Sequence, residues 1–114
     1  MINFACKRFD IQEVVKCSLG LSKSEFNLLN FLMKYDKDFT TKELSEELNL
    51  DKSTIQRSIK KLHEKKLVRR GQTNQSIGGY LFYYRIKDKI EIRRVISSTV
   101  ENWFKIFKEE LGKW

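Results

Sequence analysis

The chain has no proline, a single histidine, two cysteines and five glycines among its 114 residues. Without proline, no helix is kinked or stopped from within, so the breaks must fall at glycine and at polar clusters. Two thiols and His63 do not make a persuasive zinc set, which takes four ligands. No Ser or Cys nucleophile or paired acid stands at a telling spacing from His63, and Glu43, Glu46 and Glu47 fit a first turn and a solvent face. No enzyme, metal or cofactor is expected. Cys6 and Cys17 are expected as free, buried or half-buried thiols, since on one helix they would lie about 16 Å apart along the axis. An intersubunit disulfide stays open if the N-terminal helix packs at a dimer axis. No apolar run approaches the roughly 18 residues of a spanning helix, and no signal-peptide core opens the chain. A cytoplasmic protein without a membrane partner is expected.

What the sequence does have is positive charge. Lys and Arg number 23 against 15 acids, a net +8, and the length is one domain's worth. Such an excess favours a polyanionic partner. It is densest in "DKSTIQRSIKKLHEKKLVRR", Asp51 to Arg70, where eight bases meet two acids.

The first helix is predicted over about Asp10–Leu19, within an N-terminal helical segment at about 1–20, with Ile11, Val14, Val15 and Leu19 on one stripe before Gly20. Ser22 to Glu25 is a capping-box pattern ahead of Phe26, Leu29, Phe31 or Leu32, and Met33. The pattern recurs from Thr40 to Glu43, opening a short helix with Leu44 and Leu48 inward. Asn49 tolerates a left-handed turn, and Leu50 is placed to plug the gap between helices. Asp51 or Ser53 then caps a longer helix to about Lys66 that buries Ile55, Ile59 and Leu62. A short and a long helix across a three-residue turn make a helix-turn-helix.

After Leu67 the pattern turns to β-formers, predicting antiparallel strands over Val68–Arg70 and Tyr80–Ile86. A basic hairpin directly after a helix-turn-helix makes a winged helix. The aromatic run Tyr80–Tyr84 is assigned to packing against the helices rather than to base stacking. Gly78-Gly79 is assigned to a bulge or close backbone approach. One long helix follows, about 88–113, with Ile92, Ile96, Val100, Trp103, Phe107 and Leu111 on a stripe widened by Val95, Phe104 and Ile106. Left bare, that face exceeds the patch a monomer shows. The expectation is a homodimer packed through these six residues, the alternative a helix folded back on its own core. The fold class is mainly α with a small β-hairpin: a winged helix-turn-helix over about 22–86, in one domain 1–114, flanked by N- and C-terminal dimerisation helices.

So arranged, the chain resembles the MarR/TrmB-like winged-helix transcriptional regulators of the short single-domain archaeal type. The likeness is carried by "TTKELSEELNLDKSTIQRSIKKLHEKKLVRR", by "SIGGYLFYYRIKDK", and by Ser53, Thr54, Arg57 and Leu62 at the recognition-helix start. It implies a homodimeric, sequence-specific regulator that binds double-stranded DNA. TrmB-type sugar regulators carry a large C-terminal ligand domain that this sequence does not include, so sugar sensing is not carried over.

A recognition helix offers one face of its N-terminal half to the base edges of the major groove. The outward positions are Lys52, Ser53, Thr54, Gln56, Arg57, Lys60 and Lys61. Gln56 suits adenine and Arg57 guanine, while Lys60 and Lys61 suit phosphates. Ser53 and Thr54 are short enough for a phosphate or a thymine methyl. In the wing, Arg69, Arg70, Gln72, Thr73, Asn74 and Gln75 are expected beside the minor groove. The alternative function is a winged-helix interaction module of a larger transcription assembly, against which the basic recognition helix counts. Operator and small-molecule effector are not legible.

Overall fold

The computed structural model describes residues 1–76 and 78–114. The elements run β1 (Ile2–Phe4), β2 (Lys7–Phe9), α1 (Ile11–Leu19), α2 (Lys23–Lys34), β3 (Phe39–Thr40), α3 (Thr41–Leu48), α4 (Lys52–Glu64), β4 (Val68–Asn74), β5 (Tyr80–Ile86) and α5 (Lys89–Lys113). Both capping boxes form. Ser22 Oγ accepts from the Glu25 N–H at 3.2 Å, and Glu25 Oε1 accepts from the Ser22 N–H at 2.8 Å. The reciprocal pair between Thr40 and Glu43 closes at 3.1 Å in both directions. Each cap satisfies backbone donors that the first helical turn leaves bare. Asn49 ends α3 in the left-handed conformation, φ 53°, which turns the chain toward α4.

Three helices close on one another through Leu28, Leu29 and Leu32 of α2, Leu44 of α3, and Ile55, Ile59 and Leu62 of α4, all fully buried. Leu19, Leu67 and Val68 complete the centre. Strands β3, β5 and β4 form an antiparallel sheet in that order, with β4 and β5 paired from Val68↔Ile86 out to Asn74↔Tyr80. Phe39 pairs with Tyr84 and reaches the core. The result is the winged helix the sequence predicts.

Several expectations are corrected. Residues 2–9 form a hairpin ahead of α1, so Cys6 lies in a turn and not on a helix, and both thiols are exposed. Leu50 is 38% exposed; Leu48 packs on the core in its place. Helix α4 stops at Glu64, with Lys66 at φ 64° releasing the chain into β4. That strand runs four residues beyond Arg70, to Asn74. Gly78 and Gly79 have φ of 93° and 83° with open space around them, so they serve the turn rather than a close approach. The close approach is at Gly71, where a Cβ would run into the Tyr83 ring.

Helix α5 divides in two. Ile92 is buried and Val95 and Ile96 pack against the core, but from Val100 onward the stripe stands clear of the body. The chain is accordingly elongated, 61 × 25 × 24 Å. Leu62→Ala should cost about 2–5 kcal/mol in a urea unfolding curve and Thr40→Ala about 1 kcal/mol. Leu50→Ala should cost less than about 1 kcal/mol, because that side chain fills no cavity.

Candidate nucleic-acid interface

The burial of Ile55, Ser58, Ile59 and Leu62 fixes the rotation of α4 about its axis. Lys52, Ser53, Gln56, Arg57 and Lys60 are thereby exposed, while Thr54 and Lys61 are half-buried at the flank. The helix carries no acid before Glu64, its last residue. Among the described residues, none of Lys52, Arg57, Lys60 and Lys61 stands in an ion pair. Cations without intramolecular ion pairs are available to neutralise phosphates.

At the N-terminus of α4, Asp51 holds the N-cap position but makes no capping bond. Its carboxylate accepts instead from the Ser53 and Thr54 hydroxyls. Those two bonds, Ser53 first, hold its pKa down at about 2. A hydroxyl has one proton to give. With that proton directed at Asp51, Ser53 and Thr54 present lone pairs to an incoming ligand, suited to a base amino group and not to a phosphate oxygen. Arg57 makes one long contact, Nη2 to Thr54 Oγ1 at 3.5 Å, which leaves its guanidinium fork available.

Alternation sorts the wing. Arg70, Gln72 and Asn74 share a face with Tyr84, Phe82 and Tyr80, and Arg69, Gly71 and Thr73 share the other with Arg85, Tyr83 and Leu81. At its base the first face packs on the core through Tyr84. Farther out it leaves the body, with Phe82 lying under the Arg70 guanidinium at 4.9 Å and Tyr80 62% exposed. The aromatic run is thus only partly a packing element: Tyr83 and Tyr84 are half-buried, while Tyr80, Leu81 and Phe82 are exposed.

Arg69 is turned to another task. Its Nη2 lies 3.3 Å from Glu91 and 3.5 Å from Asp88, tying the hairpin to the start of α5. Arg70, Gln72, Thr73, Asn74 and Gln75 remain exposed along the wing. Of the six positions expected to pair two chains, Ile92 is buried and Ile96 half-buried within this one, while Val100, Trp103, Phe107 and Leu111 are exposed. Trp103 stacks on Phe107 with ring centroids 5.5 Å apart.

A MarR family profile matches residues 19–75, from the end of α1 through α4 into the wing. The chain belongs to the MarR family. Its structure is similar to a possible transcriptional regulator from Methanosarcina mazei Go1, with a TM-score of 0.90 and 43% identity over 100% of this chain and 96% of that one. A Sulfolobus tokodaii protein shares the fold at a TM-score of 0.68, with 24% identity over 83% of this chain and 92% of that one. A Methanocaldococcus jannaschii protein is 26% identical over 90% of this chain and 77% of its own length. The family and the fold are those of transcriptional regulators. For this MarR-family chain, no helix among the described residues is long and apolar enough to cross a membrane.

The Asp51 network has a measurable signature. Its carboxylate should titrate near pH 2 by NMR and return toward 3.8 in the Ser53→Ala/Thr54→Ala double variant. Because the folded pKa is depressed, the network's contribution should be complete above about 3.8 and be lost as pH falls through about 2.

Proposed function

We propose that this chain is a sequence-specific double-stranded DNA-binding regulator of transcription, acting in the cytoplasm as a homodimer. The single observation that carries it is the α4 face of Lys52, Ser53, Gln56, Arg57 and Lys60, held outward by the core and with no acid between Lys52 and Lys60. Helix α4 enters the major groove, where Arg57 forks onto guanine O6 and N7 and Gln56 pairs with adenine. Ser53 and Thr54 accept from base amino groups, while Lys52, Lys60 and Lys61 hold the phosphate backbone. The wing lies at the minor groove through Arg70, Gln72, Thr73, Asn74 and Gln75. Arg69, paired with Asp88 and Glu91, is left out of that set.

The dimer is supported by the exposed stripe of Val100, Trp103, Phe107 and Leu111. Two copies would place their recognition helices about 34–36 Å apart, or a multiple of that, on a pseudo-palindrome. The same stripe supports a second function, docking of a different protein within a transcription assembly. Duplex DNA separates them: an interaction module binds no random duplex at low salt.

Selection of bound duplexes from a random pool should return two inverted half-sites. Arg57→Ala should relax the preference at one base pair per half-site, and equal weakening on all sequences would exclude it as a base reader. Lys60→Ala should leave the preference intact and reduce the log–log salt slope by about one for each phosphate that is no longer neutralised.

A further inference from the structure

The β1–β2 hairpin contributes no residue to the core described above. Strands β1 and β2 pair through Ile2↔Phe9, Asn3↔Arg8 and Phe4↔Lys7. Opposed residues of an antiparallel pair share a face, so Ile2, Phe4, Lys7 and Phe9 lie on one side, with Asn3 and Arg8 on the other. Lys7 confirms the sorting, its ammonium lying 5.5 Å from the Phe9 ring centroid. A hairpin apolar on one side is built to rest on something. Among the described residues all six strand residues are exposed, and none joins the core. The strands pack on each other and not, to any comparable extent, on another element. An isolated two-stranded hairpin is marginal in water.

A matching bare face lies on α5. Val100, Trp103, Phe104, Phe107 and Leu111 follow one another at steps of three, one, three and four, forming one exposed helical face. From their exposures that face offers on the order of 600 Å², short of the roughly 800 Å² per partner of a standard interface. Adding Ile2, Phe4 and Phe9 brings the surface these residues expose to on the order of 900 Å², past that mark. Continuity points the same way, because the hairpin leads into α1 and α1 packs on α5.

We infer that the β1–β2 hairpin is an arm that closes over the exposed α5 stripe of a second copy of this chain, completing the homodimer interface. The inference rests on the dimeric function proposed above and specifies what covers its helices. In a two-fold dimer each copy gives one arm and receives one, so the contact is self-complementary.

The test compares the full chain with one lacking residues 2–9, by sedimentation equilibrium and by Trp103 emission in a Trp114→Phe background. No core residue is removed, so the truncated chain keeps its helices, which circular dichroism checks. The full chain should be a dimer at micromolar concentration with blue-shifted Trp103 emission. Truncation should raise its dissociation constant at least tenfold and shift the emission to the red. Phe4→Ser/Phe9→Ser should reproduce both changes without shortening the chain. An unchanged dissociation constant overturns the arm and leaves the dimer standing; a full chain that is monomeric overturns both. A weakened dimer with unaltered Trp103 emission places the arm off the stripe and overturns the inference. So does a red shift on truncation at dilutions where the full chain is monomeric, because the arm would then lie on its own helix.

Discussion

Everything on the proposed DNA-facing side depends on how α4 is turned about its own axis. Ile55, Ile59 and Leu62 are fully buried against α2 and α3, at a spacing of four and three residues. Each such side chain contributes about 1.5–3 kcal/mol when fully removed from water. Rotating the helix by one residue would expose the stripe and bury Lys52, Gln56 or Lys60, a doubly unfavourable exchange. The apolar stripe therefore orients the polar face without touching it. The two capping boxes and the Asn49 turn act in the same direction, since they fix where α2 and α3 start and how α3 passes to α4.

Once α4 is set, the basic residues between Asp51 and Arg70 cease to be equivalent. Lys52, Arg57 and Lys60 project into solvent, whereas Lys61 lies half-buried at the flank. Arg69 and Arg70 are adjacent on one strand and so point to opposite faces. One reaches Asp88 and Glu91 and anchors the wing to α5; the other lies over Phe82 along the exposed wing. Asp51, the one acid at the start of the helix, is held by Ser53 and Thr54, which orders two hydroxyls beside Arg57. Charge density thus identifies the region, and the backbone decides which charges are free to act.

Helix α5 shows how a chain of this size can serve two apolar environments with one element. Ile92, Val95 and Ile96 belong to the chain's own core, and the stripe then continues past the end of the body through Val100, Trp103, Phe107 and Leu111. The amphipathic β1–β2 hairpin is equally uncovered. Both ends of the chain present apolar surface that the central fold neither needs nor shields.

The sequence by itself determined the helices, their caps, the turn at Asn49, the buried stripe of α4 and the return strand Tyr80–Ile86. Each of these rests on interactions between residues one to four apart, or on alternation along one strand, so a single window of sequence contains the whole signal. The alternation Ile2-Asn3-Phe4 was also present, but three residues are too few to outweigh other assignments, and β3 with two residues exists only because β5 pairs with it. Only the tertiary structure decided that Arg69 turns to acids 19 and 22 positions later, that Tyr80 and Phe82 stand beyond the core while Tyr84 enters it, and that the α5 stripe splits at Val100. Periodicity states which residues share a face. How far the neighbouring elements extend along that face is set by contacts distant in sequence, and those belong to the folded chain alone.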